Sequence, residues 1–211
     1  LIGAAIGRHR PEGSRLPVVI ASAWLAAALL TACIALAQYF GLGEALQPWV
    51  HPAAAGEALG NLRQRNQVAT LAAIGLAVLL WWPGEAPRAL GWRLAAAAWL
   101  GAASAATASR TGLLQLLLLA VLAGLWRGRD RRSQGWIWLA AAVAYGAASA
   151  ALPALLGMVT GRGAGDVLAR LGAEYGCSGR TVLWSNVLQL IAQHPLGGWG
   201  WGELDYAHFY H

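Results

Sequence analysis

Two arginines stand out among the residues that could do chemistry, because each lies in a short polar segment of a mostly apolar chain. Arg110 lies in the run Ser-Arg-Thr-Gly, and Arg180 lies in the run Gly-Arg-Thr-Val-Leu-Trp. A guanidinium group binds phosphate through paired hydrogen bonds and keeps its charge close to a membrane. An arginine within an apolar region is therefore a candidate functional residue. The alternative for each is an ordinary loop or interfacial arginine that extends its charge to water.

A third polar segment covers residues 60–67 and reads Gly-Asn-Leu-Arg-Gln-Arg-Asn-Gln. Amide and guanidinium groups in such a segment could bind a substrate or an acceptor, or they could form the polar start of a helix. Its arginines could equally anchor lipid phosphates. The segment supplies five candidate substrate- or acceptor-binding residues, namely Arg63, Gln64, Arg65, Asn66 and Gln67.

The last stretch of the chain, residues 179–211, concentrates glycine, aromatic and polar residues. Histidine is the usual general base near neutral pH, so the histidines of this stretch are the first candidates for a base. His194 precedes a proline and is interpreted as structural, whereas His208 and His211 are interpreted as solvated loop residues. The spacing of histidine, cysteine and carboxylate residues fits no metal site, so no metal or cofactor is predicted.

The composition indicates an integral membrane protein. The 211 residues are 58% hydrophobic and 11% charged, whereas about 25% of the residues of a soluble domain are charged. The formal net charge is +6, and all 15 basic residues are arginines. Because these arginines lie in loops between apolar runs, the charge is interpreted as a topology signal and not as a nucleic-acid-binding surface.

The apolar runs predict five membrane spans in an all-α, polytopic transmembrane fold. They cover about residues 16–40, 67–83, 90–108, 111–126 and 135–157. The first run is long enough to cross a hydrocarbon layer of about 30 Å. The third is rich in alanine and serine, which predicts a central position because small residues let helix backbones approach closely.

The basic cluster Arg127–Arg132 fixes the predicted orientation, because short arginine-rich loops stay in the cytoplasm. Counting spans in both directions then places three polar segments together on the opposite face, namely residues 60–67, Ser109-Arg110 and residues 158–211. The last of these is predicted to be a long periplasmic loop region with short helices at about residues 166–171 and 181–193.

These motifs resemble the O-antigen ligase and polymerase superfamily of bacterial membrane enzymes. The resemblance rests on residues 109–112, on residues 179–184, and on the His-Pro-Leu-Gly-Gly-Trp-Gly run at 194–200. Residues 60–69 and the Trp-Gly-Trp-Gly-Glu run at 199–203 are most similar to the branch that glycosylates proteins. That branch contains the pilin-type O-oligosaccharyltransferases. Each motif is short, but the motifs follow the order found in the family and lie on one predicted membrane face, which makes the resemblance specific.

The resemblance implies an inner-membrane enzyme with its active site on the periplasmic face. It implies metal-independent transfer of a glycan from undecaprenyl diphosphate to a Ser or Thr of a pilin-like protein. Arg110 and Arg180 match the two arginines of the family motifs and are therefore expected to bind the diphosphate. The catalytic histidine of the family lies in a later His-Asn-Leu type motif, which the sequence does not contain. We therefore expect the base to lie beyond residue 211 and the chain to be a piece of a larger protein.

Three alternatives stay open at this point. The same chemistry could act on a sugar acceptor, as it would in an O-antigen ligase that modifies lipid A core or in an O-antigen polymerase. A membrane transporter or flippase could line its path with arginines, but it would be expected to show internal repeats or broken helices, and the sequence shows neither. A non-catalytic membrane scaffold would not need Arg110 and Arg180.

Overall fold

The chain is helical in every part of the structure that forms regular elements, which confirms the prediction of an all-α fold for the described residues. The structure is a computed structural model that describes residues 15–82, 90–125, 131–160, 179–200 and 202. No strand occurs among these residues. Contacts divide the chain into two compact units, Leu1–Leu171 and Gly172–His211.

Five helices lie in the described part of the first unit. They are α1 at Leu16–Tyr39, α2 at Arg65–Leu80, α3 at Leu90–Ala106, α4 at Arg110–Leu125 and α5 at Arg131–Thr160. The segment between α1 and α2 adds a 3₁₀ turn at Glu44–Leu46. The second unit contributes α6 at Gly179–Gln193. The predicted helix at residues 166–171 lies outside the described residues.

Two helices in the described part of the chain are long and apolar enough to cross a membrane, namely α1 with 24 residues and the 29 residues Arg132–Thr160 of α5. α2 and α4 are apolar but have 16 residues each. Large apolar side chains on α1, α4 and α5 are exposed, for example Leu30, Leu118 and Met158. Soluble monomers rarely expose apolar surface so widely. Helices occupy all five predicted segments, and the number that cross a membrane stays a prediction.

Small residues let α3 approach its neighbours closely, and they let α1, α2 and α3 cross at short distances. A methyl group added at Gly75 of α2 would lie 2.7 Å from Ala28 Cβ of α1 and 2.9 Å from Leu100 Cδ1 of α3. A methyl group added at Gly101 of α3 would overlap the carbonyl oxygen of Ala141 in α5. α3 contacts each of the other four helices of this unit. The central position predicted for this alanine- and serine-rich segment is confirmed.

Two buried polar side chains donate hydrogen bonds to carbonyls at the C-terminal end of α2. Arg93 of α3 is 5% exposed, and its guanidinium donates to Leu79 O. Gln134 of α5 donates from Nε2 to Leu80 O at 2.9 Å. The last carbonyls of a helix need partners and carry partial negative charge, which favours an arginine there. The sequence interpretation assigns the arginines to loops between apolar runs, and the structure corrects this for Arg93, which lies in α3 and has a buried partner in the last carbonyls of α2.

Amide side chains hold the segment that connects α1 to α2. Gln38 is fully buried, and it donates to His51 O at 2.7 Å and accepts from Gly60 N–H at 2.6 Å. Asn61 accepts from His51 N–H at 2.9 Å and donates to Trp49 O at 2.8 Å. A small apolar cluster supports this end of the unit and consists of Ala35, Tyr39, Ala58, Val68, Ala106 and Leu156. The start of α2 is therefore fixed in place by the segment before it.

Helix boundaries differ most from the prediction at polar helix ends. α2 begins at Arg65, so Asn66 and Gln67 belong to its first turn. α5 has 30 residues and begins with polar residues that precede the predicted span. Hydropathy detects the apolar part of a helix and misses polar turns at its ends, which explains both differences.

Candidate functional site

The turn between α3 and α4 carries the first candidate motif. α3 ends at Ala106 and α4 begins at Arg110, so three residues reverse the chain. Thr107 Oγ1 donates to Ser104 O at 2.6 Å and accepts from Ser109 N–H at 3.2 Å. Ala108 is buried and adopts φ +47°. This left-handed conformation costs an L-residue about 1–2 kcal/mol, so the surrounding bonds hold a strained turn in place.

Ser109 joins this turn to the start of α2. Its Oγ donates to Asn66 Oδ1 at 2.8 Å and accepts from Gly112 N–H at 3.3 Å. Gly112 makes the approach possible, because an added methyl group would lie 2.8 Å from Ser104 Oγ and 3.0 Å from Ala69 Cβ. The start of α4 therefore packs directly against α2 and α3, and two of the polar segments found in the sequence meet here.

Arg110 is the first residue of α4, and its side chain is exposed. The first turn of α4 contains no acidic residue. A helix N-terminus carries partial positive charge, which normally favours an acidic side chain. An arginine at this position adds to that charge instead of offsetting it. The combination favours binding of an anion such as a phosphate group.

A second hydrogen bond connects α2 and α4 one turn further along, and a bond within α2 accompanies it. Thr70 Oγ1 donates to Asn66 O at 2.8 Å and accepts from Gln115 Nε2 at 2.9 Å. Gln115 Oε1 is buried, and no group among the described residues donates to it. The bond between Gln115 and Thr70 therefore joins the two helices independently of the Ser109 hydroxyl.

An open cleft of about 330 Å³ lies beside the first turns of α2. Its polar end is formed by Asn66, Gln67 and Thr70, and the remaining wall is apolar. The apolar lining residues are Trp24, Leu62, Leu71 and Ile74. The cleft therefore suits a ligand with a polar head and an apolar tail.

The remaining candidates of the segment before α2 have different surroundings. Arg63 is exposed and adopts φ +58°. Gln64 is exposed and immediately precedes α2 in an extended conformation. Arg65 makes an ion pair with Glu57, and its side chain is 26% exposed. Asn66 and Gln67 are thus the two residues of this set that line the cleft.

The second unit is described by itself. Arg180 is the second residue of α6, and its side chain lies outside the described part of the structure. His194 is exposed, and its ring meets the Trp199 ring edge-on with centroids 4.3 Å apart. Trp199 Nε1 donates to Leu190 O at 3.0 Å. These contacts agree with a structural role for His194, and a shared site of Arg180 with Arg110 stays a prediction.

Ser109, Thr70 and Gln115 were not among the candidate site residues predicted from the sequence. A serine directly before a helix could have been recognised as an N-cap. Its bond to Asn66 spans 43 positions, so no local pattern reveals it. Within the described residues, no group of three or more His, Cys, Asp and Glu side chains could hold a metal ion.

Two segments of the chain match known protein families. Residues 95–211, more than half of the chain, match the family described as O-antigen ligase. Residues 58–82 match the family described as protein glycosylation ligase. Neither a search of curated proteins nor a search of solved structures found a match. The hydrogen bond between Ser109 and Asn66 joins the two matched segments.

Proposed function

The chain belongs to the O-antigen ligase family, and we propose that it moves a glycan from undecaprenyl diphosphate to a Ser or Thr of a pilin-like protein. The family consists of membrane proteins that transfer glycans, and the second match points to the branch that glycosylates proteins. In this proposal the protein lies in the bacterial inner membrane and acts on its periplasmic face. The exposed apolar faces of α1, α4 and α5 support a membrane location.

The observation that carries the proposal is the contact between the two matched segments. Ser109 Oγ lies 2.8 Å from Asn66 Oδ1, and Arg110 follows Ser109 directly. A residue of the protein-glycosylation segment therefore lies beside the first arginine motif of the O-antigen ligase segment. A site built from both segments would bind the donor and would present it to a protein acceptor.

The reaction requires a group that stabilises the departing diphosphate. The acceptor hydroxyl attacks the anomeric carbon, the bond from that carbon to the diphosphate oxygen breaks, and the diphosphate leaves with the electron pair. Negative charge grows on the diphosphate, and preorganised cationic groups lower the barrier by stabilising that charge. We assign this role to Arg110 and Arg180. A single displacement inverts the configuration at the anomeric carbon.

The cleft beside α2 supplies a place for the rest of the donor. Its apolar wall, which includes Trp24 and Ile74, would accept the isoprenoid chain, and its polar end would face the diphosphate. Arg63, Gln64 and Arg65 would contact the glycan or the acceptor from the rim. The proton of the acceptor hydroxyl passes to a base, and a histidine beyond residue 211 stays our prediction for it.

A reconstituted transfer reaction tests the proposal. The full chain in liposomes is given the undecaprenyl-diphosphate-linked glycan and a pilin-like protein. We expect Arg110→Ala and Arg180→Ala each to slow transfer about 100-fold or more, as removal of a charge-stabilising group does. Arg132→Ala changes an exposed arginine at the start of α5 and is the matched control that keeps full activity. Unchanged transfer in both Arg110→Ala and Arg180→Ala would reject the diphosphate-binding role.

The same reaction separates the acceptors and the alternative classes. Lipid A core and growing O-antigen are offered beside the pilin-like protein. Glycan found on lipid A core or on O-antigen, and absent from the protein, would reject the protein acceptor. Glycan that crosses the bilayer while still on its carrier would indicate a transporter and reject the enzyme. Transfer that continues in the presence of EDTA would support metal-independent chemistry, and its loss would reject it.

A further inference from the structure

The segment between α1 and α2 exposes an apolar patch. It consists of the side chains of Leu42, Leu46 and Trp49, which are called the loop patch below, and all three are exposed. The ring of Trp49 is the most open of them, at 84%. Unlike the exposed apolar side chains of α1, α4 and α5, these lie outside the helices that fill the predicted spans. Tryptophan is one of the residues that dominate binding energy at protein interfaces, so the loop patch is a candidate binding surface.

Hydrogen bonds hold the backbone on which the Trp49 ring stands. Trp49 N–H donates to Leu46 O at 3.1 Å, and Trp49 O accepts from Asn61 Nδ2 at 2.8 Å. Val50, the next residue, is 7% exposed and anchors the segment in the fold. The ring therefore projects outward from a fixed backbone. Preorganised side chains of this kind bind a defined partner more tightly than mobile ones do.

The loop patch adjoins the cleft beside α2. Asn61 bonds to the backbone of Trp49, and the following residue, Leu62, lines the apolar wall of the cleft. The buried amide of Gln38 holds the same segment from α1, since it accepts from Gly60 N–H at 2.6 Å. A partner on the loop patch would therefore lie beside the cleft that the proposed function gives to the lipid-linked donor.

Charge favours a protein over a lipid surface as this partner. Residues 41–60 contain Glu44 and Glu57 but none of the 15 arginines of the chain. Glu57 pairs with Arg65, whereas Glu44 is exposed between the two leucines of the loop patch. Helices that bind a membrane surface carry Lys and Arg, which anionic headgroups attract, and a carboxylate is repelled by them. The loop patch therefore suits a protein surface that presents apolar side chains beside a Lys or Arg.

We propose that the loop patch is the docking surface for the acceptor protein. This proposal rests on the proposed function, because it takes the acceptor to be a folded protein. Leu46 and Trp49 contact apolar side chains of the acceptor, and Glu44 pairs with a basic residue beside them. Asn61 does not touch the acceptor and is a positioning residue that fixes Trp49. Docking brings the reacting Ser or Thr of the acceptor to the cleft.

Transfer kinetics of the full chain in liposomes test this surface. The acceptors are a pilin-like protein and a short peptide from it that contains the reacting Ser or Thr. We expect Trp49→Ala to raise KM for the protein about 10-fold or more, as loss of an interface tryptophan does. KM for the peptide, KM for the donor and Tm should stay close to wild type. Trp136→Ala removes another exposed tryptophan, on α5, and should change none of these quantities.

Two further variants test the roles assigned to the neighbours of Trp49. Glu44→Gln should raise the protein KM about 3-fold at low salt and less at high salt, because salt screens an exposed ion pair. Asn61→Ala should raise the protein KM about 3-fold. Combined with Trp49→Ala it should raise KM no further than Trp49→Ala alone, because Asn61 acts through the tryptophan. A further increase in the double variant would contradict the positioning role.

Insertion of Trp49 into the bilayer interface is the competing explanation, because tryptophan is enriched there. Brominated lipids quench the fluorescence of tryptophans that lie in the bilayer. We expect wild type and Trp49→Phe to lose the same amount of fluorescence in such liposomes. A smaller loss in Trp49→Phe would place Trp49 in the bilayer and overturn the inference.

Binding of the pilin-like protein in the absence of donor provides a readout that needs no transfer. Its Kd should rise in Trp49→Ala and stay constant in Trp136→Ala. An unchanged KM and Kd in Trp49→Ala would overturn the inference, while transfer by the wild type leaves the proposed function intact. Equal increases in Trp136→Ala would also overturn it, because they would show a general effect of losing an exposed tryptophan. Wild-type protein that binds the acceptor through Trp49 but transfers no glycan would reject the proposed function alone.

Discussion

The two ends of α2 use similar side chains in opposite ways. At the C-terminal end, Arg93 and Gln134 are buried, and each donates to a backbone carbonyl of the helix. At the N-terminal end, Asn66 and Gln67 are exposed and line a cleft. The C-terminal end uses its arginine and amide groups to complete the fold, whereas the N-terminal end leaves two amide side chains at the surface of a cleft.

The difference teaches that residue type alone does not assign a function in this chain. A helix C-terminus offers unpaired carbonyls, so a nearby arginine can donate hydrogen bonds to them and stabilise the fold. A helix N-terminus offers N–H groups and partial positive charge, so an arginine there adds to that charge or pairs with an acidic side chain, as Arg65 does with Glu57. Which end of a helix an arginine approaches therefore changes the partners that are open to it.

The largest effect is expected from Arg110→Met at the start of α4, beside the N-terminal end of α2. This variant keeps most of the side-chain length but removes the charge, so kcat/KM for glycan transfer should fall about 100- to 1000-fold. Tm should stay within about 2 °C of wild type, because exposed positions contribute little to stability. Kinetics and thermal unfolding of the same sample test the comparison. A loss of Tm matched by little loss of activity would make Arg110 a structural residue like Arg93.

Arg93→Met makes the same substitution at the C-terminal end of α2. It leaves Leu79 O buried without its guanidinium donor, which should lower the free energy of unfolding by about 1–3 kcal/mol. Donor and acceptor KM should not change in the folded fraction. Denaturation in a detergent series measures the first quantity, and transfer kinetics measure the second. A higher donor KM with unchanged stability would contradict the division of roles between the two ends.

A smaller effect is expected from Gly112→Ala, which tests how closely α4 approaches α2 and α3. The added methyl group would press on Ser104 Oγ and Ala69 Cβ, and overpacking of this kind costs about 1–3 kcal/mol. The higher helix propensity of alanine returns about 1 kcal/mol, so a net loss of about 1 kcal/mol is expected. Gly91→Ala on α3 is the control, since no atom lies within 4 Å of its added methyl group. Equal stabilities of the two variants would show that the close approach is absent.

The smallest effect is expected from Glu57→Gln, which releases Arg65. This ion pair is partly exposed, with side-chain exposures of 26% for Arg65 and 37% for Glu57, so its loss should cost about 0.2–1 kcal/mol. Salt should weaken the difference between variant and wild type. Unfolding of both proteins at low and high ionic strength measures it. A drop in transfer larger than the drop in stability would show that Glu57 also positions Arg65 for contact with the substrates.

The sequence predicted the helices more accurately than it predicted their boundaries. Apolar runs indicated the helical segments, and the small residues of α3 predicted its central packing, because both depend on local composition. The apolar run predicts a span at about residues 67–83, whereas α2 begins at Arg65. A polar helix start within residues 60–67 is an alternative that the sequence leaves open, since hydropathy gives no signal for polar residues at a helix end. The burial of Arg93 was missed for another reason. It depends on Leu79 O, a backbone group whose availability is set by tertiary packing.

The sequence likewise predicted some residues of the candidate site but not the contacts between them. Arg110 and the polar segment before α2 could be chosen from the sequence, because charged and amide groups are conspicuous among apolar residues. The link between Ser109 and Asn66 could not, since it depends on how the starts of α2 and α4 pack together. The role of Arg180 stays a prediction, because its side chain lies outside the described residues.

The fully buried Gln38 has a consequence for the thermodynamics of binding. Its amide bonds to backbone groups of His51, Leu59 and Gly60, so one side chain ties the last turn of α1 to two distant points of the connecting segment. The conformational entropy of that segment is lost during folding and does not have to be lost again when a ligand arrives. Amide protons of Leu59 and Gly60 should therefore exchange slowly with solvent even in the absence of any substrate.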